Sequence, residues 1–180
     1  KLSDYGFFQG RLNGLQPVSG VMDYELATPL FTDHALKDRF IIVPAGKQVT
    51  YNANGPLDFP DSTIILKNFS YRDTSGNTML IETRMLVRDP ADHHWKVMNY
   101  LWNGEQTDAV KHIVGAKIPV TLLDEQGNRY STVYMVPNTN DCKRCHVSNG
   151  ILTPIGPKAA NLNFVRSGMQ HNQLSQWAAA

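Results

Sequence analysis

Through the middle of the chain, apolar and polar positions alternate with a period of two, in short runs separated by turn-forming residues. Such runs put successive side chains on opposite faces and predict antiparallel strands. Residues 39–43 form one run and stop at Pro44 and Gly46; residues 47–51 form a second and stop at the cluster 52–55. The strongest pattern is a hairpin. Residues 63–71 and 78–88 are rich in β-branched and aromatic residues and flank the turn 74–77. In its second arm Met79, Ile81, Thr83, Met85 and Val87 fall on one face, with Leu80, Glu82, Arg84, Leu86 and Arg88 on the other. Residues 95–102 predict a further strand, and 117–123 with 129–136 a second hairpin.

The flanks lack this period. Residues 1–38 read as an irregular wrap whose aromatic stretch, residues 2–8, tucks into a core, with one helical turn over 33–38. Residues 105–112 read as a short turn or helix. Residues 155–163 read as a Gly/Pro-punctuated loop running into a helix, and 169–177 as a last helix. The expectation is one mainly β (α+β) domain over 1–180. Its core is an antiparallel sheet or sandwich over 39–136, followed by a functional segment with short helices over 137–180.

The 180 residues carry 17 basic and 16 acidic side chains, a formal charge of +1. There is no basic stripe, so a nucleic-acid partner is not expected. No apolar run approaches the roughly 18 residues of a membrane-spanning helix.

The two cysteines stand together, in Cys142-Lys-Arg-Cys145-His146. This is the spacing at which two thiols bond the vinyl groups of one haem and the next residue sits beneath the iron as proximal ligand. The motif therefore predicts one covalent haem c, attached through Cys142 and Cys145 and ligated by His146. A structural zinc site would need a fourth donor from His93, His94, His112 or His171, and no second Cys/His pair stands at regular spacing. A thioredoxin-like pair belongs at a strand-to-helix turn of a βαβ unit, whereas this segment follows a β-hairpin. Covalent haem attachment normally takes place outside the bacterial cytoplasm. A periplasmic or extracellular protein is thus expected, and a first residue Lys1 without a leader fits an exported chain after processing.

With strands first and the haem motif late, the chain resembles cytochrome P-460 and the β-sheet cytochromes c-prime. The shared features are residues 59–67, the strand around Trp95 and the late Cys142–His146 segment. It also resembles a group of exported bacterial c-type haem proteins without an assigned reaction. That likeness lies in residues 28–33, 37–40, 59–60, 67–69, 81–84, 100–103, 136–138, the motif 142–146, 155–158 and 172–174. These resemblances imply haem and export. In the lysine-cross-linked cytochromes a lysine bonds the haem, but Lys67, which alternates with Ile65, Phe69 and Tyr71, reads better as a snorkelling strand lysine.

The sixth iron ligand separates the functional readings. Met169 is the first candidate and His171 the alternative, both on a segment able to fold back; Met98, Met135, His34, His94 and His112 are further donors. Arg84 and Lys158 are candidate partners of the haem propionates, since cations suit carboxylates. The leading expectation is an exported monohaem electron carrier with a redox partner protein, not an enzyme. The alternatives are a P-460-like haem enzyme or gas-binding protein with an open distal site, and a haem-bearing subunit of a larger surface assembly.

Overall fold

The computed structural model describes residues 1–32, 34–123, 126–148 and 150–179, with the backbone alone for Thr139, Lys143, Ser148 and Ala179. Two short strands, β1 (Phe8–Gln9) and β2 (Gln16–Pro17), pair with each other near the start. The main sheet is an antiparallel meander of six strands in sequence order. Its strands are β3 (Val21–Asp23), β4 (Leu36–Ile42), β5 (Ile64–Arg72), β6 (Thr78–Arg88), β7 (Trp95–Trp102) and β8 (Ala109–His112). A separate hairpin, β9 (Ala116–Leu123) with β10 (Arg129–Val136), packs on one face of it. Helix α1 (Thr139–His146) follows, then the tiny hairpin of β11 (Val147–Ser148) and β12 (Ile151–Leu152). Helices α2 (Ala159–Leu162) and α3 (Gln173–Ala179) end the chain. The expected mainly β architecture with short helices is what forms. No helix among the described residues is long and apolar enough to cross a membrane.

Register explains where the cores sit. Phe40, Leu66, Met85 and Met98 stand opposite one another across β4 to β7, on one face. That face is covered by Leu2, Phe7, Phe8 and Val21, so the aromatic N-terminal stretch does enter a core. The other face is layered. Ile41, Ile65, Leu86 and Val97 form an apolar row, roofed by Leu57, Phe59 and Leu162. At the opposite end Phe69, Tyr71 and Ile81 meet Val120, Leu122, Tyr134 and Val136 of the hairpin. Between these two apolar clusters lies a polar row, Arg39–Lys67–Arg84–Asn99–His112, one residue from each of β4 to β8.

Several sequence expectations change. The uniform alternation expected in β6 is broken by an irregularity opposite Phe69/Ser70. Ile81 is the extra residue, so Leu80 joins the Met85 core while Met79 and Ile81 join the cluster under the hairpin. Leu36–Asp38 are strand, not a helical turn, because β5 offers them a ladder; Asp33 lies outside the described residues. Residues 47–51 make one isolated bridge, Thr50 to Asp58, while Val49 packs beside Leu57 and Phe59. Ala109–His112 pair with the free edge of β7 rather than coil. The last helix begins at Gln173, not Met169. Gly168 takes φ 78°, and Asn172 Oδ1 accepts from the Leu174 amide, an N-terminal stop ahead of the helix.

Candidate cofactor site

Helix α1 has eight residues and little intrinsic stability, so its ends and its docking hold it. Asn138 caps it. Its Oδ1 accepts from the Asn140 and Asp141 amides at 2.8 and 3.0 Å, and Asp141 Oδ2 accepts from the Asn138 amide at 3.1 Å. Just upstream, Asn99 Nδ2 on β7 donates to the Pro137 carbonyl at 2.7 Å. The spacing puts Cys142, Cys145 and His146 on one side of the helix. Cys142 is buried and Cys145 exposed. Burial pushes the Cys142 thiol up, with Arg84 and Asn99 pulling the other way.

His146 is held from behind. Its Nδ1 lies 3.1 Å from the Thr153 carbonyl, and the Thr153 amide returns a bond to the His146 carbonyl. A carbonyl only accepts, so Nδ1 carries the proton and Nε2 keeps its lone pair. This is the support that a ligating imidazole needs. Burial, then the Lys67 and Arg84 charges, holds the ring below its ordinary basicity, against the opposing effect of the Thr153 bond. His146 is thus favoured in the neutral, ligating form.

The polar row faces this helix. Lys67 is half-buried, with Nζ 4.7 Å from the Phe69 ring centre, and Arg84 Cζ stands 4.2 Å from the same ring. Burial first, then the charges of Arg39, Arg84 and Lys37, brings the Lys67 ammonium down to about 7, opposed by Glu82. Lys67 is thus half-buried, with its ammonium held over the Phe69 ring. Glu82 is fully buried. Its Oε1 accepts from Arg84 Nε at 3.0 Å, from Arg84 Nη2 and from the Tyr134 hydroxyl. Burial works against the Arg84 charge, but Glu82 outweighs it and raises the guanidinium's pKa. Burial and the Glu82 charge push the Tyr134 hydroxyl upward. Glu82 Oε2 has no partner among the described residues.

Of the residues singled out in the sequence, Cys142, His146 and Arg84 come together. The other candidates lie elsewhere. Lys158 is exposed and bridges Pro56 at the start of α2. Met169 and His171 are exposed on a loop that Arg166 ties to Asp23 and Glu25 beside β3. That anchor is four strands from β7, roughly 19 Å at strand spacing. Met98 points into the opposite core, and Met135 lies exposed on the outside of its hairpin. His93 is bonded to Asp61 at 2.7 Å, and His34 stands edge-on to Phe31. His112 occupies the outer end of the polar row. Among the described residues no three His, Cys, Asp or Glu side chains gather in a metal-binding arrangement. Arg39, Asn99, Tyr134 and Thr153 were not legible as site residues. Arg39 and Asn99 leave one sequence signal, a polar position within a strand run, which becomes part of a row once register is known; Tyr134 on the hairpin and Thr153 after β12 lie outside that row.

Comparison of the chain with protein-family models, curated proteins and solved structures finds no match.

Proposed function

We propose that this chain is an exported, single-haem c-type protein. Cys142 and Cys145 hold the porphyrin through thioether bonds, and His146 presents Nε2 to the iron. The observation that carries the reading is the His146 Nδ1–Thr153 bond, which fixes the tautomer and aims the ring from a motif with haem spacing. The cationic residues beside the motif suit a dianionic porphyrin edge. Once bound, the haem supplies a redox-active iron with one axial position already taken.

A haem attached at the motif would stand near the sheet rather than near a methionine arm. Met169 and His171 stand with the β3 edge, and the side chains turned toward the motif are Lys67, Arg84 and Asn99. That arrangement favours a haem that binds or transforms a small molecule over a carrier with two protein ligands. Arg84, braced by Glu82 and Tyr134, supplies a fixed positive charge. Lys67 Nζ exchanges a proton near neutral pH.

Electron transfer is the second reading. It is favoured by exposed Cys145, Val147 and Ile151, which put the attachment point at the surface where a redox partner or a larger assembly has access.

The test is an optical spectrum of protein matured with haem-attachment machinery, oxidised, reduced, and reduced under carbon monoxide. A high-spin spectrum that shifts with carbon monoxide is expected. A low-spin spectrum indifferent to carbon monoxide would move the assignment to electron transfer, with His112→Ala the first variant to examine. Protein without covalent haem would end the reading.

A further inference from the structure

Three cations stand side by side in direct register across three neighbouring strands: Arg39 on β4, Lys67 on β5 and Arg84 on β6. Like charges directly opposite each other destabilise a sheet. Here Arg39 is buried and Lys67 and Arg84 are half-buried, so solvent screens them less than on an open surface. Lys37 stands nearby on β4 and adds to the field at Lys67.

The carboxylates around them do not close the account. Glu82 is committed to Arg84 and Tyr134. Glu25 is shared with Arg166. Asp38 is displaced to the other face of β4, in register with Asn68, and burial pushes its pKa upward. Arg39 carries the clearest mark. Its side chain is 6% exposed, Nη1 makes a single long bond to the Lys37 carbonyl at 3.4 Å, and Nη2 has no partner among the described residues. A buried guanidinium nitrogen without an acceptor is costly, and native structures rarely leave one so. A cavity of about 560 Å³ opens against Lys37 and Arg39, with Asp23, Glu25, Asp38 and Arg166 also in its lining, and gives a small molecule access to the Arg39 end of the row.

We propose that Arg39, Lys67 and Arg84 form an anion-binding row whose ligand is an oxyanion, a carboxylate or a small phosphate-like group. Arg39 Nη2 supplies the unmet donor, Lys67 the point charge, and Arg84 a fixed flank. The oxyanion has two possible sources. One is a propionate arm of the haem, which rests on the function proposed above. The other is a free small anion, which does not. Binding either one offsets the repulsion along the row and supplies the acceptor that Arg39 lacks.

The full chain, as purified, is tested in two ways with the variants Arg39→Gln, Arg39→Lys and Lys67→Met. The first readout is the midpoint potential of the haem. The second is calorimetric titration with inorganic phosphate. If the source is a propionate, Arg39→Gln and Lys67→Met each lower the midpoint potential, because a cation near the ring favours the reduced state, and Arg39→Lys restores it. If the source is a free anion, wild-type protein binds phosphate, Arg39→Gln weakens it at least tenfold, and Arg39→Lys recovers most of the loss. Either pattern supports the row. Potential and phosphate affinity both unchanged in Arg39→Gln and Lys67→Met would overturn it. Protein that purifies without haem refutes the haem reading and leaves phosphate alone to decide. In that case, failure of wild-type protein to bind phosphate refutes the anion row too.

Discussion

Asn99 on β7 donates from Nδ2 to the carbonyl of Pro137 at 2.7 Å, one residue before the cap of the helix that bears the two cysteines. A single amide thus joins the sheet to the cysteine-bearing helix. Replacing it by leucine strands that carbonyl and loosens the helix entry. Asn99→Leu is expected to cost about 1–3 kcal/mol in urea denaturation and to lower the fraction of chains that acquire haem. Unchanged stability and haem content would show that the helix is placed by its cap alone.

Gly115 makes the same junction from the other side. A Cβ there would lie 2.9 Å from the Val136 carbonyl oxygen and 3.2 Å from the Asn138 amide, both backbone atoms. The φ of Gly115 is ordinary, so close approach and not conformational freedom requires glycine. Gly115→Ala is expected to destabilise the protein by about 1–3 kcal/mol through backbone displacement, as measured by thermal unfolding. A melting temperature equal to wild type would refute the close fit.

Glu82 and Arg84 form a buried pair in which removing one partner is worse than removing both. Arg84→Met leaves a fully buried carboxylate uncompensated, at an expected cost of about 3–5 kcal/mol. Tyr134→Phe removes one donor from the same oxygen and is expected to cost about 1–3 kcal/mol. The double variant Glu82→Gln/Arg84→Met should recover most of the Arg84→Met loss. Denaturant titration of the set, analysed as a double-mutant cycle, checks the coupling.

Lys67 gives the protein a pH dependence of definite sign. Its folded pKa, brought to about 7, lies below the unfolded value near 10.4, so between these limits the unfolded chain binds more protons. Stability therefore rises with pH across that window. The penalty of charging Lys67 is complete below the folded value and gone above the unfolded one. Its size is on the order of a few kcal/mol. Lys67→Met is expected to flatten the slope and to stabilise the protein at pH 6. A wild-type stability that falls from pH 7 to 9, or a slope that Lys67→Met leaves intact, would contradict the burial of this amine.

Much of the fold was legible in the chain because its causes are local. The alternation at 63–71, 78–88 and 95–102 and the turn residues between them suffice to place β5, β6 and β7. The CxxCH spacing is likewise carried by neighbours in sequence. The rest depends on partners far away. Ala109–His112 looks like a turn until the open edge of β7 gives it a ladder. Met169 is a plausible ligand by residue type, but Arg166 binds its loop to Asp23 and Glu25 beside β3. Arg84 is picked out by residue type, but Arg39, Lys67 and Asn99 read as unrelated polar interruptions of their runs. Pairing register makes them a row, and register is a property of the sheet.

Ile81, the extra residue of β6, changes the phase of the strand. Two-residue periodicity has only two phases, and β6 uses both, switching between them at that point. On one side of the switch Leu80 feeds the core beneath the N-terminal segment. On the other, Glu82 and Arg84 are turned toward the face that α1 covers. Removing Ile81 alone would return β6 to a single phase, with Leu80 and Glu82 adjacent in sequence and still on opposite faces, at the cost of the contacts Ile81 makes under the hairpin. A one-residue deletion between Glu82 and Arg88 would instead turn one side of the cut over, and either the Glu82–Arg84 pair or the apolar residues beyond it would change faces. The one-residue deletion this strand can absorb is therefore that of the bulged residue itself.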